Sequence, residues 1–385
     1  MIASTERILT THTGSLPRAP ELVELLLAQE QGRPVDAAEL SRLMEAGIER
    51  VVTRQIEAGI DIGNDGEQPR VGFQTYVPQR MSGFGGTSNR GAFSDMTRFP
   101  GYAAILQGRA NRRARIATAP QALSAVRYED FSGIQAECAG FAAALRRHPG
   151  GFAEPFMTSA SPGIVTTTML NAHYDSHEAY VMAVAREMRK EWEHIVAQGH
   201  LLQIDAPDLA LERHWFCQDE PLATFQAMVE LHIEAINVAL ENIPPERARL
   251  HVCWGNYDGP HVDDVALADV LGLITRARVG ALSVPFANPR HAHEMDVLRR
   301  MPLPGGMLLI PGVIDSTTNY VEHPELVAQR IAKAVEMVGD RERIIAGVDC
   351  GFSTFAGANV VAEDVVWEKL RTLRAGADIA SSRLW

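Results

Sequence analysis

Short β-rich apolar runs recur along this chain, and longer amphipathic stretches separate them. They fall at residues 7–12, 60–65, 155–159, 201–205, 249–253, 281–285, 307–313 and 344–349. Each reads as a buried strand. The stretch 39–58 carries Leu40, Leu43, Ile48, Val51, Val52 and Ile56 at helical spacing. Residues 180–198 are charged on one side and apolar on the other, with Gly199 as a C-terminal stop, and 324–338 ends in the same way at Gly339. Strands alternating with helices imply βα units and a mainly parallel sheet. Eight such units predict an α/β chain folded as a (β/α)8 TIM barrel, and 385 residues accommodate one with an insertion. A doubly wound open sheet is the second choice. No Gly-x-Gly-x-x-Gly follows the first strand, which counts against its nucleotide-binding form. Residues 73–113, rich in Gly, Arg and Ser, read as an insertion after strand two within a single 1–385 catalytic domain. A further β-rich run at 114–119 is assigned to it.

Composition narrows the setting. Hydrophobic residues make up 46% and charged residues 22%, as in an ordinary globular protein. No apolar run reaches the roughly 18 residues of a membrane span. The first residues lack the basic and apolar regions of a signal peptide. Four cysteines are too few for a disulfide framework and suit a reducing, cytoplasmic location. A net charge of −12 opposes nucleic acid and anionic membranes as partners. A small molecule is the expected partner, with homo-oligomerisation left open.

A barrel carries its chemistry at the C-terminal ends of its strands. Here those ends are polar throughout: His12 to Arg18, Asn64 to Arg70, Ser159 to Gly163, Gln203 and Asp205, His251 to Asn256, Asn288 to Glu294, Asp315 with Ser316, and Asp349 with Cys350. About half of such residues serve as helix caps and turn formers. His251 and Cys253 stand two apart, so they share one face of a strand. Imidazole and thiolate suit Zn²⁺, which binds nitrogen and sulfur at roughly 2.0–2.3 Å. Cys350 arriving from another strand end completes three ligands and leaves a fourth position open. The competing reading is that a buried cysteine is only small apolar filler, the role expected of Cys138 and Cys217. His148, His194, His200 and His323 are expected at helix ends as surface or cap residues.

The ordered motifs Thr-Gly-Ser-Leu-Pro-Arg, Asp-Gly-Glu-Gln-Pro-Arg, Gln-Ile-Asp-Ala-Pro, His-Val-Cys, Gly-Val-Ile-Asp-Ser and Val-Asp-Cys-Gly span nearly the whole chain. With them the chain resembles the C-terminal catalytic barrel of the cobalamin-independent methionine synthases. The resemblance implies a (β/α)8 barrel and a zinc ion held by His251, Cys253 and Cys350. It implies methyl or alkyl transfer to a substrate thiol presented as a zinc-bound thiolate, with homocysteine as the default acceptor. Glu67 and Asp205 match the acidic residues that hold the amino group of homocysteine. Ser15 matches a serine of the substrate-binding first loop. Arg18, Arg70, Asn256 and Arg290 are further substrate-binding candidates, the arginines because an anionic substrate needs local basic groups.

Three positions depart from that pattern. Pro285 stands where the family has a glutamate ligand, so either zinc keeps three protein ligands plus solvent or His291, His293 or Glu294 reaches in. Ala206 replaces a glutamate after Asp205, and Ala172 replaces the tryptophan that stacks on folate. These departures point to a short branch similar to the epoxyalkane:coenzyme M transferases, which make or break a C–S bond by the same zinc–thiolate logic. A non-catalytic zinc- or thiol-binding barrel is the alternative of another class.

Overall fold

The structure is a computed structural model that describes residues 1–109 and 119–385. Its strands are β1 (Leu9–Thr10), β2 (Ile62–Gly63), β3 (Met81–Gly85), β4 (Gln121–Tyr128), β5 (Glu154–Ala160), β6 (Leu201–Asp205), β7 (Ala248–His251), β8 (Ala281–Pro285), β9 (Leu308–Ile314) and β10 (Ile345–Val348). Eight of them form one parallel sheet in the order β1-β10-β9-β8-β7-β6-β5-β2. A parallel bridge between Thr11 and Ile62 joins its two ends, so the sheet closes on itself. This is the expected barrel, and each of its strands falls on one of the eight apolar runs. β1 and β2 are short, each in register with its neighbour over two residues.

β3 and β4 pair antiparallel with each other and not with the barrel. They lie in the excursion between β2 and the helix Ser132–Arg147. The β-rich run at 114–119 lies almost wholly outside the described residues; the observed partner of β3 begins at Gln121.

Side chains alternate along each strand between two cores. Leu202 and Ile204 of β6, Leu250 of β7 and Leu282 and Val284 of β8 enter the large core under the outer helices. Leu9, Ile62, Phe156, Leu201, Ala281, Leu308, Ile310 and Ile345 pack together inside the barrel, with Met1, Ile2 and Ala3 against them. β7 has no member there because it contributes Arg249 instead. That guanidinium stacks over Phe156 at 3.7 Å and donates to Thr11 Oγ1 and His12 O, both at 3.0 Å. The inward positions one step further along the strands are polar. Register aligns Asp205 of β6 with His251 of β7, and His251 with Ser283 of β8. One cross-strand row therefore sets Asp205, His251 and Ser283 side by side.

The outer helices follow from local signals. Asp36 accepts from the Ala38 and Glu39 amides and starts Ala37–Glu57. Ser176 starts His177–Ala197, and Pro324–Val338 stops at Gly339, which adopts φ 79°. His323 caps that last helix through its ring. His200 departs from expectation: it is buried and packs against Phe141 at 5.1 Å. No helix among the described residues is long and apolar enough to cross a membrane.

Candidate active site

A cavity of about 930 Å³ opens at the C-terminal end of the barrel, and Ser15, Glu67, Asp205, His251, Cys253, Asn256 and Cys350 all line it. Strand ends separated by up to 335 residues of sequence meet there because the sheet is closed.

His251 ends β7 and Cys253 follows in the turn, while Cys350 follows β10. One donor atom from each lies within 4.8 Å of the others. The two sulfurs are 4.0 Å apart. His251 Nδ1 meets Ser283 Oγ at 3.1 Å, and its Nε2 is buried without a hydrogen-bond partner. A ring fixed through one nitrogen with the other buried and unused is what a metal-ligating histidine requires. The set of one imidazole and two thiols fits zinc in donor type. The hydrogen bond from Cys350, with help from His251, holds the Cys253 thiol well below its usual range, and the same contact holds Cys350 well above.

Glu67 and Asp205 form the acidic wall. Glu67 adopts φ 55°, a conformation that a non-glycine residue holds only when its surroundings impose it. Arg18 imposes it by donating to Glu67 O at 2.6 Å and to Ser353 O at 2.7 Å. Gly14, at φ 144°, lets the first loop close on this carboxylate, since a Cβ there would stand 2.8 Å from Glu67 Oε1 and 2.6 Å from Thr158 Cγ2. Glu67 Oε1 accepts from Thr158 Oγ1 at 2.8 Å, and Oε2 is buried without a partner. Burial raises Glu67 above the usual carboxylate range. Burial and then the charge of Glu67 push Asp205 up to about 7. Asp205 Oδ1 accepts from Gln203 Nε2 at 2.7 Å. Two buried carboxylates in mutual repulsion, one with an unused oxygen, favour a cationic guest.

The remaining candidates divide. Ser15 sits against Gly351, where a Cβ would come within 2.0 Å of Ser15 Oγ. Asn256 lines the cavity and ties its walls by donating to Gly351 O at 2.6 Å and accepting from Ser316 Oγ at 3.2 Å. The three arginines do not line the cavity. Arg18 serves the backbone as described. Arg70 is buried, with its guanidinium committed to Glu137 and to Thr158 O. Arg290 is exposed and donates to Val262 O at 3.0 Å. Pro285 ends β8 and brings no ligand. His291 is drawn away by Asp264 and Glu294, to which its nitrogens bond at 2.8 and 2.9 Å, and His293 is exposed. Ala172 is exposed and outside the cavity. Asp349 serves as a cap, accepting from the Phe286, Ala287 and Asn288 amides at 2.9–3.0 Å.

Sequence reasoning missed the outer wall. Phe73, Phe93, Trp215, Tyr257, Phe352 and Phe355 give the cavity an aromatic rim. Arg90 also lines it, stacked on Trp215 at 3.6 Å and paired with the buried Glu212. Nothing in the local sequence around Arg90 or Phe93 distinguishes them from any loop residue. The composition of 73–113 was the only signal.

The family described as cobalamin-independent synthase, catalytic domain, matches residues 8–131. The methionine synthase of Thermococcus kodakarensis is 24% identical over 376 residues, covering 97% of this chain and 94% of that protein. The 2-hydroxypropyl-CoM lyase of Xanthobacter autotrophicus is 25% identical over 246 residues, covering 57% of this chain and 60% of that protein. A B12-independent methionine synthase from Shewanella superposes with a TM-score of 0.73 at 20% identity, over 98% of this chain and 99% of that one, which shows the shared fold. The chain thus resembles the catalytic domain of the cobalamin-independent methionine synthases, as its motifs implied.

Proposed function

We propose that this protein transfers a methyl or other alkyl group to a small amino-thiol of the homocysteine type, with zinc held by His251, Cys253 and Cys350. The observation that carries the reading is the meeting of this donor set with the Glu67–Asp205 pair in one cavity. Zinc, when bound, supplies the acidity that turns a thiol of pKa about 8.5 into a thiolate nucleophile at neutral pH. The chain's own residues do the rest. Ser283 orients His251. Glu67 and Asp205 receive the ammonium group, so the thiol end of the guest points at the two cysteines. The aromatic rim covers the approach of the alkyl donor and keeps water from the nucleophile.

The thiol–epoxide or C–S lyase reading uses the same three ligands but requires a seat for a sulfonate. Among the described residues the cavity wall carries one cation, Arg90, and Glu212 already neutralises it. That balance favours the amino-thiol.

X-ray absorption at the zinc edge tests the core of the reading. Two sulfur neighbours are expected in the resting protein, and homocysteine should add a further one at about 2.3 Å. A sulfur count that no thiol changes would leave a binding barrel instead. A screen for thioether products with homocysteine and with sulfonated thiols then separates the two enzymatic readings.

A further inference from the structure

A second cluster of ligand-type side chains stands behind the aromatic rim, outside the site described above. We propose that His261, Asp264 and His291, with His214 beside them, form a second binding site for a divalent zinc-type ion, with two imidazole nitrogens and one carboxylate as its ligands.

Three successive loops at the C-terminal end of the barrel bring these residues together. His214 follows β6, His261 and Asp264 follow β7, and His291 follows β8. His261 Nδ1 and His291 Nε2 approach Asp264 Oδ2 at 2.9 and 2.8 Å. His214 Nδ1 approaches Asp264 Oδ1 at 2.8 Å. The side chains of His214 and Asp264 are each 1% exposed, and that of His291 6%. Donor atoms of His261, Asp264 and His291 lie within 4.8 Å of one another.

The outer nitrogens decide the reading. His261 Nε2 faces the Tyr257 carbonyl at 3.0 Å, which only accepts. His291 Nδ1 faces Glu294 Oε2 at 2.9 Å, a carboxylate. His214 Nε2 faces the Tyr257 hydroxyl at 3.2 Å, and that hydroxyl spends its proton on Asp95 Oδ2 at 2.9 Å. Each outer nitrogen therefore carries a proton. A neutral ring protonated there turns a lone pair inward, the state in which histidine binds a metal, and an outer partner on every ring is the usual second shell of such a site. Without a metal, the inward lone pairs of His261 and His291 would face the Asp264 carboxylate, acceptor against acceptor. At the third corner, His214 Nδ1 and Asp264 Oδ1 are both buried and make no hydrogen bond in spite of their approach. A metal needs convergent lone pairs and no such alignment.

The rings are held in place. Trp254 stacks on His291 at 3.8 Å and Tyr257 on His261 at 4.0 Å. Nitrogen-rich donors favour zinc over magnesium or calcium, which take oxygen. Its place explains its use, since Tyr257 and Phe93 line the main cavity and pack on this cluster.

The test is independent of the thiolate site. Metal-free protein titrated with Co²⁺ should saturate at about two equivalents, only one of them bringing thiolate-to-cobalt charge-transfer absorption; the other should show weak ligand-field bands alone. Asp264→Asn and His291→Gln should each lose the second equivalent and keep the charge-transfer band, while Cys350→Ala should do the reverse. Saturation of the wild type at about one equivalent, all of it with thiolate absorption, overturns the proposal even if the variants do not fold. Saturation at about one equivalent without thiolate absorption supports the second site and sinks the zinc–thiolate reading instead.

Discussion

At the residue scale, His12 and Asp205 show how environment sets chemistry. His12 Nδ1 accepts from the Gly14 amide at 3.2 Å, and Nε2 meets Gln55 Oε1 at 2.7 Å. That oxygen also accepts from the Asn64 amide, so it cannot donate and the His12 proton must sit on Nε2. Protonating Nδ1 would set one donor against another. Burial pushes His12 down to about 4. The folded value lies below the unfolded value of about 6.5, so this stabilising contribution is whole above pH 6.5. It is lost as pH falls from 6.5 through 4, by about 3 kcal/mol in all. NMR of the histidine rings should find His12 neutral from pH 8 down to pH 5; a midpoint above pH 6 would contradict the assignment. Asp205 lines the cavity at the mouth of the barrel. Asp205→Asn removes one ionic partner of the proposed ammonium group, an interaction of about 1.5–3 kcal/mol, so kcat/KM for homocysteine should fall roughly 10- to 100-fold. A thiol without an amino group should lose far less, and equal losses for both would argue that Asp205 does not contact the ammonium.

At the scale of elements, the barrel is tied to its excursion by a buried ionic network. Arg80, which follows the turn Val77–Gln79, pairs with Glu137 of Ser132–Arg147 and with Glu191 of His177–Ala197. Arg70 pairs with Glu137 from the second loop. Glu191 also accepts from the Tyr76, Tyr128 and Ser159 hydroxyls. These cations and donors overcome burial and bring Glu191 down to about 2. Glu191→Ala leaves Arg80 with Glu137 alone and removes the acceptor of three hydroxyls, and unfolding in urea should show a loss of about 3–5 kcal/mol. Glu191→Gln keeps part of the hydrogen bonding and should cost less. A loss under about 1 kcal/mol for the alanine variant would mean the network carries no net stability. The role of Arg70 was out of reach of sequence reasoning for the same reason. Its motif marks a loop at a strand end, and only the packing of the distant helix Ser132–Arg147 shows that Glu137 claims it.

At the scale of the whole molecule, a metal that binds only the closed barrel must stabilise it. His251, Cys253 and Cys350 come from the ends of β7 and β10, and the unfolded chain offers them no common centre. Removing zinc with a chelator should therefore lower Tm, and adding it back should restore the original value. An unchanged Tm, with metal content shown to have fallen, would remove the ligand assignment. The eight strands were legible because each is an apolar run bounded by turn residues. That His251, Cys253, Cys350, Glu67 and Asp205 would meet was legible because strand ends of a barrel face one cavity. The aromatic rim and the cluster around Asp264 were not, since loops carry no periodicity and their side chains meet only through folding.

The sequence by itself determined the alternation of strands and helices, and with it the barrel. Side-chain period and chain length leave few other ways to bury those runs. It also determined that His251 and Cys253 share a strand end. Tertiary structure decided the company they keep. Closure of β1 on β2 brought Cys350 and Glu67 to the same mouth, and cross-strand register set Asp205 beside His251. Buried carboxylates claimed Arg70 and His291 for other duties. A charge in a low-dielectric interior is held by its nearest opposite charge, and which charge is nearest is fixed only once the chain has folded.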